Sequence, residues 1–143
     1  MKISVEAMVA APVEEVWRAY VTPEEIKQWN AASEDWHTTA AMVDLCVGGT
    51  FSSRMEAKDG SMGFDFVGTY TRVVPHERIE YALDDRTVQV EFIEGSQGVQ
   101  VRVTFDSEPT HSIEQQREGW QAILDNFGRH VEAGEMVSTS HKA

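Results

Sequence analysis

The chain has 143 residues, 41% of them apolar, which is the size and composition of one domain with a real core. Its 24 acidic and 12 basic residues leave a formal net charge of −12, which argues against nucleic acid or an anionic membrane as the main partner, since these are polyanions. Cys46 is the single cysteine, so no intrachain disulfide can form, and the usage fits a reducing compartment.

The N-terminal "MKISVEAMVAAP" is a poor signal peptide, and no stretch reaches the roughly 18 apolar residues of a membrane span. A cytoplasmic location is therefore expected. "KISVEAMVA" alternates Ile3, Val5, Ala7 and Val9 and predicts a first strand. "APVEEVWRAYV" predicts a short helix with Pro12 in its first turn and Val13, Val16, Trp17 and Tyr20 on one face. A second short helix starts at "TPEEIKQW", where Thr22 and Glu25 have capping-box spacing and Ile26 and Trp29 are apolar.

After a loop, about six strands follow, separated by turns. They are "WHTTAAMVDL", "TFSSRMEA", "FDFVGTYTRVV", "RIEYAL", "VQVEFI" and "VQVRVTF", with one face buried and one wet, as in an antiparallel meander. Phe51, Ser53 and Met55 are expected to point inward. In "GFDFVGTY", Phe64, Phe66 and Tyr70 share a face on which Gly68 leaves a gap. A strand glycine marks a bend, a bulge or a close approach, and here the reading chosen is that it widens a pocket. The period then becomes helical. Ser112 and Gln115 form a second capping-box match, Ile113, Trp120, Ile123, Leu124, Phe127 and Val131 recur at helical spacing, and Gly134 is the expected C-terminal cap. Residues 135–143 are expected to be a frayed tail on a single domain spanning 1–143.

This order predicts an α+β fold. Six or seven strands at about 4.8 Å make a sheet about 30 Å wide, whereas one helix is only about 10 Å across. The sheet must curl around the terminal helix, and a curled sheet gripping one helix leaves space between them.

The stretches "APVEEVWRAYVTPEEIKQW", "DWHT", "DLCVGGTFSSRMEAKDGSMGFDFVGTY", "PHERIEYAL" and "GWQAILDNFGRHVE" carry a resemblance. Over roughly Ile3 to Glu132 the chain resembles the START-like (SRPBCC) superfamily, of helix-grip or birch-pollen-allergen type. Within it, the chain is most similar to bacterial single-domain relatives of the C-terminal domain of the heat-shock-protein-90 ATPase activator. The resemblance implies a hydrophobic cavity under the C-terminal helix, and close relatives with no assigned reaction. Superfamily members bind lipids, hormones or polyketides, and some are cyclases or hydroxylase components. Relatives often have Arg where this chain has Cys46, so no role of that Arg carries over. The chain lacks the additional N-terminal domain of the eukaryotic activator, so a chaperone partner is not expected, while a homodimer is left open.

No grouping of residues forms a catalytic motif. His37, beside Trp36, has the right pKa range for acid–base work but reads better as a rim histidine. His76, His111, His130 and His141 have no metal-motif spacing, and the Gly-rich turns match neither a P-loop nor a dinucleotide fingerprint, so neither metal nor cofactor is expected. The aromatic set is the best signal for a ligand site, although core packing explains most of it. The expected lining comprises Trp29, Trp36, His37, Phe51, Met55 and Phe66. Gly68, Tyr70, Tyr81, Phe92, Gln116, Trp120 and Phe127 complete it, with Tyr70, Tyr81, Trp120 and Gln116 as orienting polar groups. The sequence is thus read as binding a small hydrophobic or amphipathic molecule. Its rivals are a cyclase or hydrolase acting on a polyketide-like or aromatic compound, and a chaperone cofactor using its outer sheet face.

Overall fold

Apolar residues at every second position put the middle of this chain into strands, because only a pleated strand puts them all on one side. The computed structural model describes residues 2–31 and 33–142, the side chains of 135–142 excepted. Strand β1 (Lys2–Val9) is followed by helices α1 (Val13–Val21) and α2 (Pro23–Trp29). Then come β2 (Trp36–Val43), β3 (Thr50–Ala57), β4 (Gly63–Val74), β5 (Arg78–Leu83), β6 (Arg86–Gly95) and β7 (Gly98–Asp106). Helix α3 (Ile113–Lys142) ends the chain.

The strands form one antiparallel sheet in the order β1-β7-β6-β5-β4-β3-β2. Strands β2 to β7 are therefore a plain meander, and β1 returns to pair with β7. The sheet curls into a half-barrel around α3, the expected helix grip. Val5, Val90, Val101 and Phe105 are buried on the concave face, against Leu124, Phe127 and Val131 of α3. Helix α3 packs chiefly on β1, where Gln121 Nε2 also donates to the Glu6 carbonyl at 3.0 Å. Phe127 is fully buried, its ring edge-on to Tyr20 and Trp29 at 5.2 and 4.9 Å between centroids. A ring buried this completely contributes about 1.5–3 kcal/mol.

Helix ends differ from the sequence reading in instructive ways. Ser112 caps α3 as expected. Its Oγ accepts from the Gln115 N–H and the Gln115 Oε1 accepts from the Ser112 N–H, both at 3.1 Å. Gly134, the expected cap at the other end, lies inside α3, which runs on to Lys142. The tail expected at 135–143 falls where side chains are outside the described residues. Pro12 precedes α1 with extended backbone rather than joining its first turn.

Thr22 begins α2 without a side-chain cap, its own N–H donates to the Arg18 carbonyl at 3.0 Å, and Glu25 is turned to other partners. Its Oε2 accepts from Arg18 Nη1 at 2.9 Å, and its Oε1 lies 2.6 Å from His130 Nε2. One carboxylate thus ties α1, α2 and α3 together. Burial alone would push the Glu25 carboxyl up, but hydrogen bonds from His130 and Arg18 outweigh it and hold the pKa below the ordinary 4.5. A lowered folded-state value means that the stabilisation is fully present above the unfolded-state pKa. It is lost as pH falls through the folded one. Glu25→Gln should therefore melt lower than wild type at neutral pH, by about 1 kcal/mol of stability. The gap should narrow as pH falls below about 4. Thermal melts across that range check this, and a gap independent of pH would show that charge has no part in the clamp.

Candidate functional site

The narrow helix leaves part of the curled sheet uncovered. Between α3 and the concave side of β3, β4 and β5 lies a cavity of ≈ 570 Å³. That is within the usual range for small-molecule sites, about 300–1,000 Å³. Tyr20, Ile26 and Trp29 of the short helices line it, as do Ile123 and Leu124 of α3. The antiparallel register places the β3–β4 turn, the β5–β6 turn and the start of α3 at the same end of the sheet. Lining residues there are Trp36, Phe64, Arg86, Glu108, His111 and Gln115, and this end is the mouth.

All three tyrosines of the chain, Tyr20, Tyr70 and Tyr81, face the cavity. Their hydroxyls make no hydrogen bond with any described residue, yet no fully buried side-chain oxygen or nitrogen lacks a partner among those residues. The hydroxyls therefore keep some free surface, and all three residues line the cavity. Burial raises the pKa of each. Tyr70 is pushed up to about 12 by desolvation, with Asp44 adding to the effect. Tyr20 and Tyr81 are also raised by burial, with Tyr70 adding to the effect on Tyr20, and Tyr20 and Tyr70 adding to it on Tyr81. At neutral pH all three are protonated. They serve as hydrogen-bond donors and acceptors and supply no base. Ser53, buried between Phe51 and Met55 on β3, lines the same wall.

The structure brings together Trp29, Trp36, Phe51, Met55, Phe66, Tyr70, Tyr81, Gln116 and Trp120 from the expected set. Trp120 stacks on Phe105 at 4.2 Å and meets Phe66 edge-on at 6.3 Å, so it roofs the cavity near the mouth. One expected polar contact, Gln116, is already engaged with the protein, and so is the indole of the lining residue Trp29. Trp29 Nε1 donates to the Ala19 carbonyl at 3.0 Å. Gln116 accepts from the Glu108 N–H at 2.9 Å and donates to the carbonyls of Glu108 and His111 at 3.0 and 2.9 Å. Its amide holds the β7–α3 loop instead of reaching for a ligand.

Four expected residues lie outside the lining. His37 is exposed, opposite Glu56 on the outer face, because its neighbours Trp36 and Thr38 take the inward positions. Phe92 is buried, but it packs against Trp17 and Tyr20 under α1. Phe127 is enclosed by Tyr20 and Trp29.

Gly68 is the fourth, and it corrects the sequence reading. It pairs across strands with Phe51, and a Cβ built on Gly68 would sit 2.5 Å from two atoms of the Phe51 ring. The gap is filled by that ring rather than left for a ligand. The glycine that does leave room is Gly119 on α3. It lines the cavity, and a Cβ there would meet nothing within 4 Å.

Gly119, Tyr20 and Arg86 are lining residues that the sequence reading did not select, whereas Ser53 lines the cavity from the inward position expected of it. The available signal for Gly119 was a helix-weakening residue beside Trp120 on the apolar stripe. Cys46 is exposed in the β2–β3 connection, away from the cavity. Among the described residues no three His, Cys, Asp or Glu side chains cluster as a metal site, and no helix is long and apolar enough to cross a membrane.

A family model described as "Activator of Hsp90 ATPase homolog 1-like protein" matches residues 10–132. No curated protein matches significantly. Among solved structures, the chain is similar to the AHSA1-like protein from Aeromonas hydrophila, at 53% identity and a TM-score of 0.89 over 94% of each chain. It is similar to a protein from Cytophaga hutchinsonii at 43% identity and a TM-score of 0.80, again over 94% of each chain. A protein from Nitrosomonas europaea shares the fold at 22% identity and a TM-score of 0.79, over 95% of this chain and 97% of that one.

The Gly68 contact generates a test. Gly68→Val should push the Phe51 ring off the sheet and overpack the wall, lowering stability by about 1–3 kcal/mol. Denaturant unfolding of the two proteins measures it, and an unchanged midpoint would mean that the ring finds another place at no cost.

Proposed function

We propose a binding function for this chain, which belongs to the activator of Hsp90 ATPase homolog 1-like family: its cavity holds a small hydrophobic or amphipathic molecule, with no reaction assigned. The observation that carries this reading is the ≈ 570 Å³ space walled by aromatic rings, among them three tyrosines whose hydroxyls have no partner among the described residues. Apolar walls supply affinity through burial, and a few unpaired polar groups orient what enters. Neutral phenols with raised pKa values suit recognition of a carbonyl, hydroxyl or ether oxygen, and they do not suit proton abstraction at neutral pH. The family description refers to activation of a chaperone ATPase. The feature this chain's residues build is the internal cavity, so binding is the preferred reading.

The test uses N-phenylnaphthylamine, a neutral apolar fluorophore, and Gly119→Leu. The substitution places a side chain in open space and removes a helix-interior glycine, a gain of about 0.8–1 kcal/mol in helix propensity. The variant should melt at or above the wild-type temperature. It should bind the fluorophore at least about tenfold more weakly, a loss of about 1.4 kcal/mol. Wild-type protein that fails to bind, or a variant that binds as well, overturns the cavity reading.

A further inference from the structure

Resting on the cavity reading, we infer that the bound molecule carries a single carboxylate, held at the cavity mouth by Arg86. Arg86 opens β6 and has the inward parity of Val88, Val90 and Phe92, all of them buried. It is a lining residue, half-buried, at the mouth. It makes no ion pair or side-chain hydrogen bond with any described residue. The contrast with other arginines is informative. Arg54 is paired with Glu56, Arg78 with Glu91, and Arg102 with Glu6, all on the outer face. In a chain where acids outnumber bases two to one, a cation aimed inward and left without an acid is placed for something else.

The surroundings narrow the chemistry. Arg86 is the only Lys or Arg among the lining residues, so the site offers one positive charge. Glu108 stands at the same mouth, but its carboxylate is taken by the N–H groups of Thr110 and His111 at 3.0 and 2.7 Å, and by the His111 ring at 3.0 Å. That carboxylate stays ionised, and so do its repulsions. Asp84 and Asp85 are exposed in the adjoining turn. A dianion such as a phosphate monoester would meet one guanidinium and these negative neighbours. A carboxylate needs only the one fork, which it accepts in bidentate fashion. Arg86 also acts on the Tyr81 hydroxyl, partly offsetting the effect of its burial, so the charged end and the line of phenols belong to one site. The ligand class is an apolar chain or ring system ending in a carboxylate, with its body under α3 and its head at the mouth.

Competition against N-phenylnaphthylamine with decanoate and with decanol, at neutral pH and on the full chain, tests this. Wild type should prefer decanoate by about tenfold or more, equivalent to about 1.4 kcal/mol. Arg86→Met keeps an apolar stem and should abolish that preference while leaving decanol affinity within about twofold, because only the charge is lost. Arg86→Lys should retain part of it. Arg86→Gln serves the same comparison if the methionine variant does not fold. Equal affinity of wild type for the two probes, or a preference that survives Arg86→Met, overturns the carboxylate inference and leaves the cavity standing. If wild type displaces the fluorophore with neither probe and does not bind the fluorophore itself, the cavity reading falls and this inference with it.

Discussion

One helix cannot cover seven strands. That mismatch of widths governs the rest of the molecule. The sheet answers it by curling, and α3 answers it by choosing a side, packing on β1 and leaving the concave wall of β3 to β5 facing space. Burying the whole wall would take a second helix. The two short helices after β1 close only the floor, through Tyr20, Ile26 and Trp29. The cavity is thus a consequence of element count, and side chains decide only its shape and polarity.

The two glycines show how finely that shape is set. Gly68 lets the Phe51 ring approach β4 more closely than any side chain there would allow, and that ring forms part of the cavity wall. Gly119 leaves room on the helix side. One acts by yielding to a neighbouring ring and the other by having no neighbour. Exposed arginines on the outer face knit the strands through paired acids, so the interior cation is singled out by the company it lacks.

Much of the fold was legible in the sequence because strand alternation and helical spacing are local. The bounds of β3 and β5 follow directly from their turns, and Ser112 with Gln115 announces the start of α3. The site was less legible because it depends on register. Nothing within β4 says that Phe51 lies across from Gly68; only the β3–β4 pairing does. His37 was grouped with Trp36 by adjacency, whereas adjacent strand residues point opposite ways. The same rule, applied from Val88 back along β6, would have turned Arg86 inward, but the expected strand "VQVEFI" begins only at Val88. Gln116 was misread for another reason: the loop carbonyls it satisfies are brought to it only by the tertiary fold.

The Gln116 amide has a consequence for the timing of exchange. By tying Glu108 and His111 to the first turns of α3, it settles one rim of the mouth before any molecule arrives. For the proposed binding function, the β7–α3 loop would then not have to be ordered at the moment of capture, and that entropic toll would be removed from association. On the proposed binding function, residence time would then rest on how well the guest fills the space behind the rim, and related guests would be sorted by how slowly they leave rather than by how quickly they are caught.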